Sequence, residues 1–168
     1  MSNPLEPYWT AFYTKPRNEK KASDRLRLKG FEIYCPTRTV LKQWSDRKKK
    51  VTEPVFNSYL FAKVDELARL YILKDSGIVS NVRWLGQPAR IRDHEILQIR
   101  TFLEEFPSAE AFSTEYAVGD KMNIESGALS GQSGIIRQVR GDKVVLAISS
   151  LGLEMRAEIN SNHLKKVG

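Results

Sequence analysis

Cysteine is almost absent from this chain: Cys35 is the only one in 168 residues, so no intramolecular disulfide can form and no thiolate-rich metal site can be built. Histidine is nearly as scarce. His94 and His163 fall in different halves and show no metal-ligand spacing, so neither a metal nor any other cofactor is expected. A Cys35–His94 nucleophile and base pair can be drawn, but Cys35 sits in an expected buried strand just before Pro36, which argues against a catalytic residue there. A glycine-rich phosphate loop is missing. Long apolar runs are missing too, and Met1 to Pro7 has neither the basic nor the apolar region of a signal peptide, so no membrane partner and a cytoplasmic location are expected. Together these absences point away from an enzyme.

What is present is positive charge, unevenly placed. Residues 1–108 carry a net +7 and residues 109–168 a net of zero, while residues 15–50 alone reach +9. Charge confined to one segment of one half is the arrangement expected where that segment faces a nucleic acid. The stretch Gln43 to Phe61 concentrates the question, because it joins the run Arg47, Lys48, Lys49 and Lys50 to a segment crowded with Phe56, Tyr59 and Phe61.

Taken in order, Tyr8 to Tyr13 reads as a buried aromatic strand. Asn18 can cap a helix to about Lys29, with Ala22 and Leu26 inward, Lys20, Lys21, Arg25 and Lys29 outward, and Gly30 as the stop. Phe31 to Cys35 is a second strand. Thr37 to Glu53 is compatible with a hairpin or a long excursion. Val55 to Val64 is a further strand, Glu66 to Leu73 a short helix, and Ile78 to Leu85 another strand. Asp93 caps a helix in which Ile96, Ile99, Leu103 and Phe106 recur at helical spacing. Strands and helices in this order give an α+β fold, a compact α/β sandwich with helices against a mostly antiparallel sheet. Residues 107–115 lack periodicity and form the expected linker between a domain at 1–106 and another at 116–168. In the latter, Met122 and Ile124, Ile135 to Val139, Val144 to Ile148, and Leu153 to Ile159 run as short strands between glycine turns, implying a small β-barrel.

These residues resemble a known family. Trp9 opening the first strand and Pro54 to Phe61 (PVFNSYLF) look like the Pro-Leu-Phe-Pro-Gly-Tyr-Val-Phe signature of NusG-type transcription elongation factors. Val118-Gly119-Asp120, Ile124, Gly127, Leu129, Gly131, Gly134 and Ile135 are similar to the spaced glycines of a KOW motif. The resemblance implies an N-terminal NusG (NGN) domain and a C-terminal SH3-like KOW β-barrel. Trp44-Ser45-Asp46-Arg47 and the lysines after it resemble specialised paralogues of the UpxY (RfaH-like) type, which act as antiterminators on polysaccharide operons. Asn57-Ser58 stands where Pro-Gly is usual, a departure that leans the same way, and Ala128 stands where KOW motifs often have proline.

The resemblance also implies partners. Relatives clasp the clamp helices of the largest RNA polymerase subunit in an aromatic hollow, which would be lined here by Tyr13, Phe56, Tyr59, Phe61 and Trp84. Since alternation sends Tyr59 and Phe61 to one face and Leu60 to the other, one group must be core. The helix from Asn18 matches a surface that relatives hold near the non-template DNA strand of the transcription bubble, where Lys15, Asn18, Lys21 and Arg25 would contact phosphates or bases. Arg47, Lys48, Lys49 and Lys50 are further nucleic-acid candidates, with a solvated basic loop as the alternative. Leu151, in the turn Ser149 to Gly152, is the candidate contact for a small-subunit ribosomal protein or a termination factor. The whole would be a monomeric, non-enzymatic processivity factor that suppresses pausing or termination. The alternative is an RNA-binding ribosome-assembly or translation protein, because KOW barrels also occur there.

Overall fold

Tyr8–Thr14 forms strand β1, and its alternation sets the architecture: Trp9, Ala11 and Tyr13 face one side, and Thr10, Phe12 and Thr14 the other. A computed structural model describes residues 3–113, 136–140 and 143–158. After β1 come helix α1 (Glu19–Leu28), β2 (Glu32–Tyr34), β3 (Thr37–Gln43), β4 (Lys48–Pro54), β5 (Tyr59–Val64), helix α2 (Glu66–Ile72), β6 (Ile78–Asn81), β7 (Arg83–Trp84), β8 (Gln87–Pro88), helix α3 (Asp93–Glu105) and β9 (Glu110–Ser113). Strands β10 (Ile136–Arg140), β11 (Lys143–Ile148) and β12 (Leu153–Glu158) follow, with a 3₁₀ turn at Ser149–Leu151.

The chain divides into two compact units. One holds the residues up to Thr37 and Pro54–Asp93, and the other holds Arg38–Glu53 and the chain from His94 onward. In the first unit the sheet order is β2-β5-β1-β6, with every pairing antiparallel. One sheet face carries Phe12, Leu60, Ala62 and Val64 into a core closed by Ala22 and Leu26 of α1, Ile72 of α2, and Ile33 and Ile78. Each fully buried leucine or phenylalanine there contributes roughly 1.5–3 kcal/mol of transfer free energy. One buried polar group in this unit is ordered by hydrogen bonds. Arg69 is gripped by Glu66 Oε2 and donates to Asn81 Oδ1, and Asn81 donates to Thr10 Oγ1 and the Ala11 carbonyl. Tyr8 donates to Glu66 at 2.7 Å, and burial together with that carboxylate pushes the phenol up to about 12.

The second unit contains the two-stranded ribbon β3-β4 and, among the described residues, the sheet β10-β11-β12-β9. Arg38 anchors the ribbon, reaching Glu53 on β4, Glu110 on β9 and the Ser108 carbonyl. On α3, Glu95, Ile96, Ile99 and Phe102 are buried, while Leu103 and Phe106 are partly covered.

Several expectations shift. Of the strand expected over Val55 to Val64, only Tyr59–Val64 is a strand; Val55 to Ser58 turns, with Ser58 at φ 63°. The strand expected over Ile78 to Leu85 is split at Val82 into β6 and β7, and Leu85 and Gly86, at positive φ, close a β7-β8 hairpin. Thr37 to Glu53 is the hairpin rather than the excursion. Glu110–Ser113, inside the expected linker, pairs with β12 from Leu153↔Ser113 to Arg156↔Glu110. The β10, β11 and β12 strands stand close to where the alternation puts them. Met122, Ile124, Ile135, the KOW-like glycines, Gly141 and His163 lie outside the described residues.

Candidate protein and nucleic-acid interface

Antiparallel register brings the first group together. Tyr13 on β1 is paired with Tyr59 on β5, and their rings meet edge to face at 5.0 Å. The Phe56 ring follows at 6.5 Å from Tyr59 and 5.4 Å from Phe61, and Tyr34 lies 6.2 Å from Phe61. Depth separates them: Tyr13 is 38% exposed and Tyr59 half-buried, whereas Phe56 and Phe61 are buried at 3% and 0%. The two tyrosines are therefore the accessible surface and the two phenylalanines the floor that holds them. Burial, with a hydrogen bond to Tyr13, pushes the Tyr59 phenol above its ordinary value. Trp84 stands 39% exposed on β7, opposite Gln87.

The turn before β5 is fixed from α1. Ser58 donates its backbone N–H to Glu19 Oε1 at 2.7 Å, and Thr14 donates its own to the Ser58 carbonyl. Glu19 is buried at the first turn of α1 and so ties the basic helix to the aromatic group. Periodicity gave no sign of this role; a lone acid in a row of cations was the only hint.

Lys15, ahead of α1, and Lys21 on it are exposed. Asn18 occupies the N-cap position, but its side chain makes no cap bond and donates to the Pro16 carbonyl instead. Arg25 is not a free cation: Nη2 and Nε bind Asp75 at 2.7 and 3.2 Å. That guanidinium holds the Asp75 carboxyl below its ordinary value. Gly77 permits this arrangement, because a Cβ there would lie 2.8 Å from Arg25 Nη2 and 3.2 Å from Ala22 Cβ.

Arg47 closes the ribbon turn, accepting the Trp44 N–H at its carbonyl, and Lys48, Lys49 and Lys50 run into β4. All four are exposed. Leu151 ends the 3₁₀ turn, partly covered, and Gly152 follows at φ 63°. Ser149 and Ser150 beside it donate to the buried carboxylate of Glu95. Chemistry of the nucleophilic kind finds no support at Cys35, whose thiol burial pushes up to about 11. No cluster of metal-ligating side chains occurs among the described residues.

A four-stranded antiparallel sheet backed by helices, with Tyr13 and Tyr59 paired across β1 and β5, defines an α+β architecture. The family described as "Transcription termination factor nusG" matches residues 7–100, more than half of the chain, and the chain belongs to the NusG family. Members are transcription factors rather than enzymes. The transcription termination/antitermination protein NusG of Streptococcus pyogenes serotype M1 is 23% identical over 175 residues, covering 95% of this chain and 96% of that protein. Its counterpart in Chlamydia pneumoniae is 28% identical over 132 residues, covering 76% of this chain and 71% of that one. The solved structure titled "Domain interaction in Thermotoga maritima NusG" shares the fold, at a TM-score of 0.53 and 19% identity over 99% of this chain and 100% of that one. No helix among the described residues is long and apolar enough to cross a membrane.

Proposed function

We propose that the protein is an elongation factor that binds RNA polymerase at its clamp helices and suppresses pausing or termination. The observation that carries this is the Tyr13–Tyr59 pair, Tyr13 exposed and Tyr59 partly covered, over buried Phe56 and Phe61 within the segment that matches the family. Rigid aromatic anchors on a packed floor are the residue type that dominates binding at interface centres. Trp84 would extend the same surface. Lys15, Asn18 and Lys21 would face the non-template DNA strand, with Arg25 contributing from its pairing with Asp75. Leu151 would serve a ribosomal protein or termination factor through a KOW domain at 116–168. Asn57-Ser58 and the Trp44-Ser45-Asp46-Arg47 run favour a specialised, operon-specific antiterminator of a polysaccharide cluster, acting as a monomer in the cytoplasm.

The test is capture of RNA polymerase by the full chain against a Tyr13→Ala/Tyr59→Ala variant. Anchors of this kind are worth about 2 kcal/mol each, so capture should fall at least roughly 30-fold. The tyrosines are preferable to Phe56, whose removal would open a cavity in the core. Co-sedimentation with ribosomes and no polymerase capture by the wild type would sink the reading in favour of an RNA-binding translation protein.

A further inference from the structure

Trp44 stands at the turn of the β3-β4 ribbon with 53% of its surface exposed. One ring face carries the Lys49 ammonium, 5.3 Å from the ring centroid. At the base of the ribbon, the Glu53 carboxylate is already engaged by Arg38 at 2.8 Å and Lys42 at 2.9 Å. That leaves Arg47, Lys48 and Lys50 exposed, with no carboxylate bound to any of them among the described residues, and Asp46 as the single acid in the stretch 41–50. A large ring set among uncompensated cations is therefore held out on a two-stranded arm.

We propose that the tip of this ribbon is a binding site for single-stranded nucleic acid, in which one unpaired base stacks on Trp44 while Lys48, Lys49 and Lys50 take the flanking phosphates. The ring face occupied by Lys49 is the one a base would take, because an ammonium over indole and a base stacked on indole use the same π surface. Displaced from the ring, the Lys49 ammonium is within a side chain's length of the backbone phosphates beside that base. Duplex fits less well. A ribbon can enter a major groove, but the bases there present their edges and keep their faces inside the stack, so the indole would have nothing to cover. A protein partner fits less well too, since the buried centre of a protein interface is poor in lysine. The inference deepens the nucleic-acid half of the proposed function, and it does not involve the tyrosine pair that would hold the polymerase.

The test uses the full chain and labelled oligonucleotides of about 15 residues, namely oligo-dT, oligo-rU and a mixed-sequence DNA duplex, with binding read by anisotropy and by quenching of tryptophan emission. Single strands should bind and quench, and the duplex should bind about tenfold more weakly. Trp44→Ala should lose about tenfold in single-strand affinity together with the Trp44 share of the quenching, within the range of one lost stacking contact. Trp44→Phe should recover part of that affinity. Replacing Lys48, Lys49 and Lys50 with glutamine should reduce the salt dependence of binding, because fewer counterions are released. A preference for oligo-dT supports the site with bubble DNA as its source, and a preference for oligo-rU supports it with the transcript. Three results would overturn it: Trp44→Ala binding within twofold of wild type, duplex binding as well as single strands, or no oligonucleotide binding while Trp44→Ala loses polymerase capture. Polymerase capture by Trp44→Ala at the wild-type level separates failure here from failure of the polymerase reading.

Discussion

Ser58 is a left-handed residue without a glycine's freedom. At φ 63° an L side chain crowds its own carbonyl, at a cost of roughly 1–2 kcal/mol, whereas glycine adopts that region without it. The residue is nonetheless held on both sides, by Glu19 at its N–H and by Thr14 at its carbonyl. Both bonds use backbone atoms, so Ser58→Gly keeps them while relieving the crowding. Set against the greater freedom of glycine in the unfolded chain, the net gain should be about 0.5–1 kcal/mol, a rise in denaturation temperature of about 1–4 °C. Ser58→Ala, which removes the hydroxyl but keeps Cβ, should show no such gain. If the glycine variant melts at or below wild type, the turn is not storing strain.

At the scale of elements, α1 is fastened at its first turn by Glu19 and near its end by the Arg25–Asp75 pair. Asp75 is nearly covered, with 4% of its side chain exposed, and its carboxyl is held below the 3.8 of a free aspartate by Arg25. A depressed carboxyl contributes stability that is present above the unfolded value and is lost as pH falls through the folded one, and Arg25 stays charged throughout. Asp75→Asn should therefore lower the denaturation midpoint at pH 7, and its gap to wild type should close as pH falls below the 3.8 of a free aspartate and through the lower folded value. A gap of constant size down to that pH would mean the carboxylate charge is not what fastens the helix. Periodicity placed Ala22 and Leu26 inward and the lysines outward, because 3.6-residue spacing is local information. It also sent Arg25 outward, but the aspartate that claims it lies 50 residues away, and no local pattern carries such a pairing. The same limit applies to the aromatic group. Alternation put Tyr59 and Phe61 on one face correctly, yet it cannot say how deep each sits. Tyr59 opens β5 and is only partly covered, while Phe61, two residues inward, is buried. The apolar run from Val55 read as strand because burial was mistaken for extension: Val55 and Phe56 are buried in a turn. Thr37, Thr39, Val40, Val51 and Thr52 favour strands in the ribbon, but the charges interspersed among them leave no apolar alternation to mark it.

For the molecule as a whole, sequence order and compactness disagree. Arg38–Glu53 lies between two segments of the first unit, yet it clusters with the chain beyond His94. Its fastening explains why: Arg38, on β3, meets the Ser108 carbonyl and Glu110 at 3.1 and 3.0 Å. Those partners stand inside residues 107–115, which composition alone marks as a linker, since four alternating residues are too few to announce the strand β9. A division after Phe106 would separate the ribbon from half of what holds its base. An ion pair at this exposure is worth about 0.5–1 kcal/mol, enough to raise the population of a locally opened ribbon about two- to fivefold. In the full chain, Glu110→Ala should accordingly speed tryptic cleavage at Arg47 to Lys50 by about that factor, because cleavage follows the open population when reclosing is fast. Cuts at Lys20 and Lys21 in α1 serve as the internal reference and should not change. Equal acceleration at both places would indicate general destabilisation, and no acceleration at the ribbon would restore residues 107–115 as a linker with no structural hold on it.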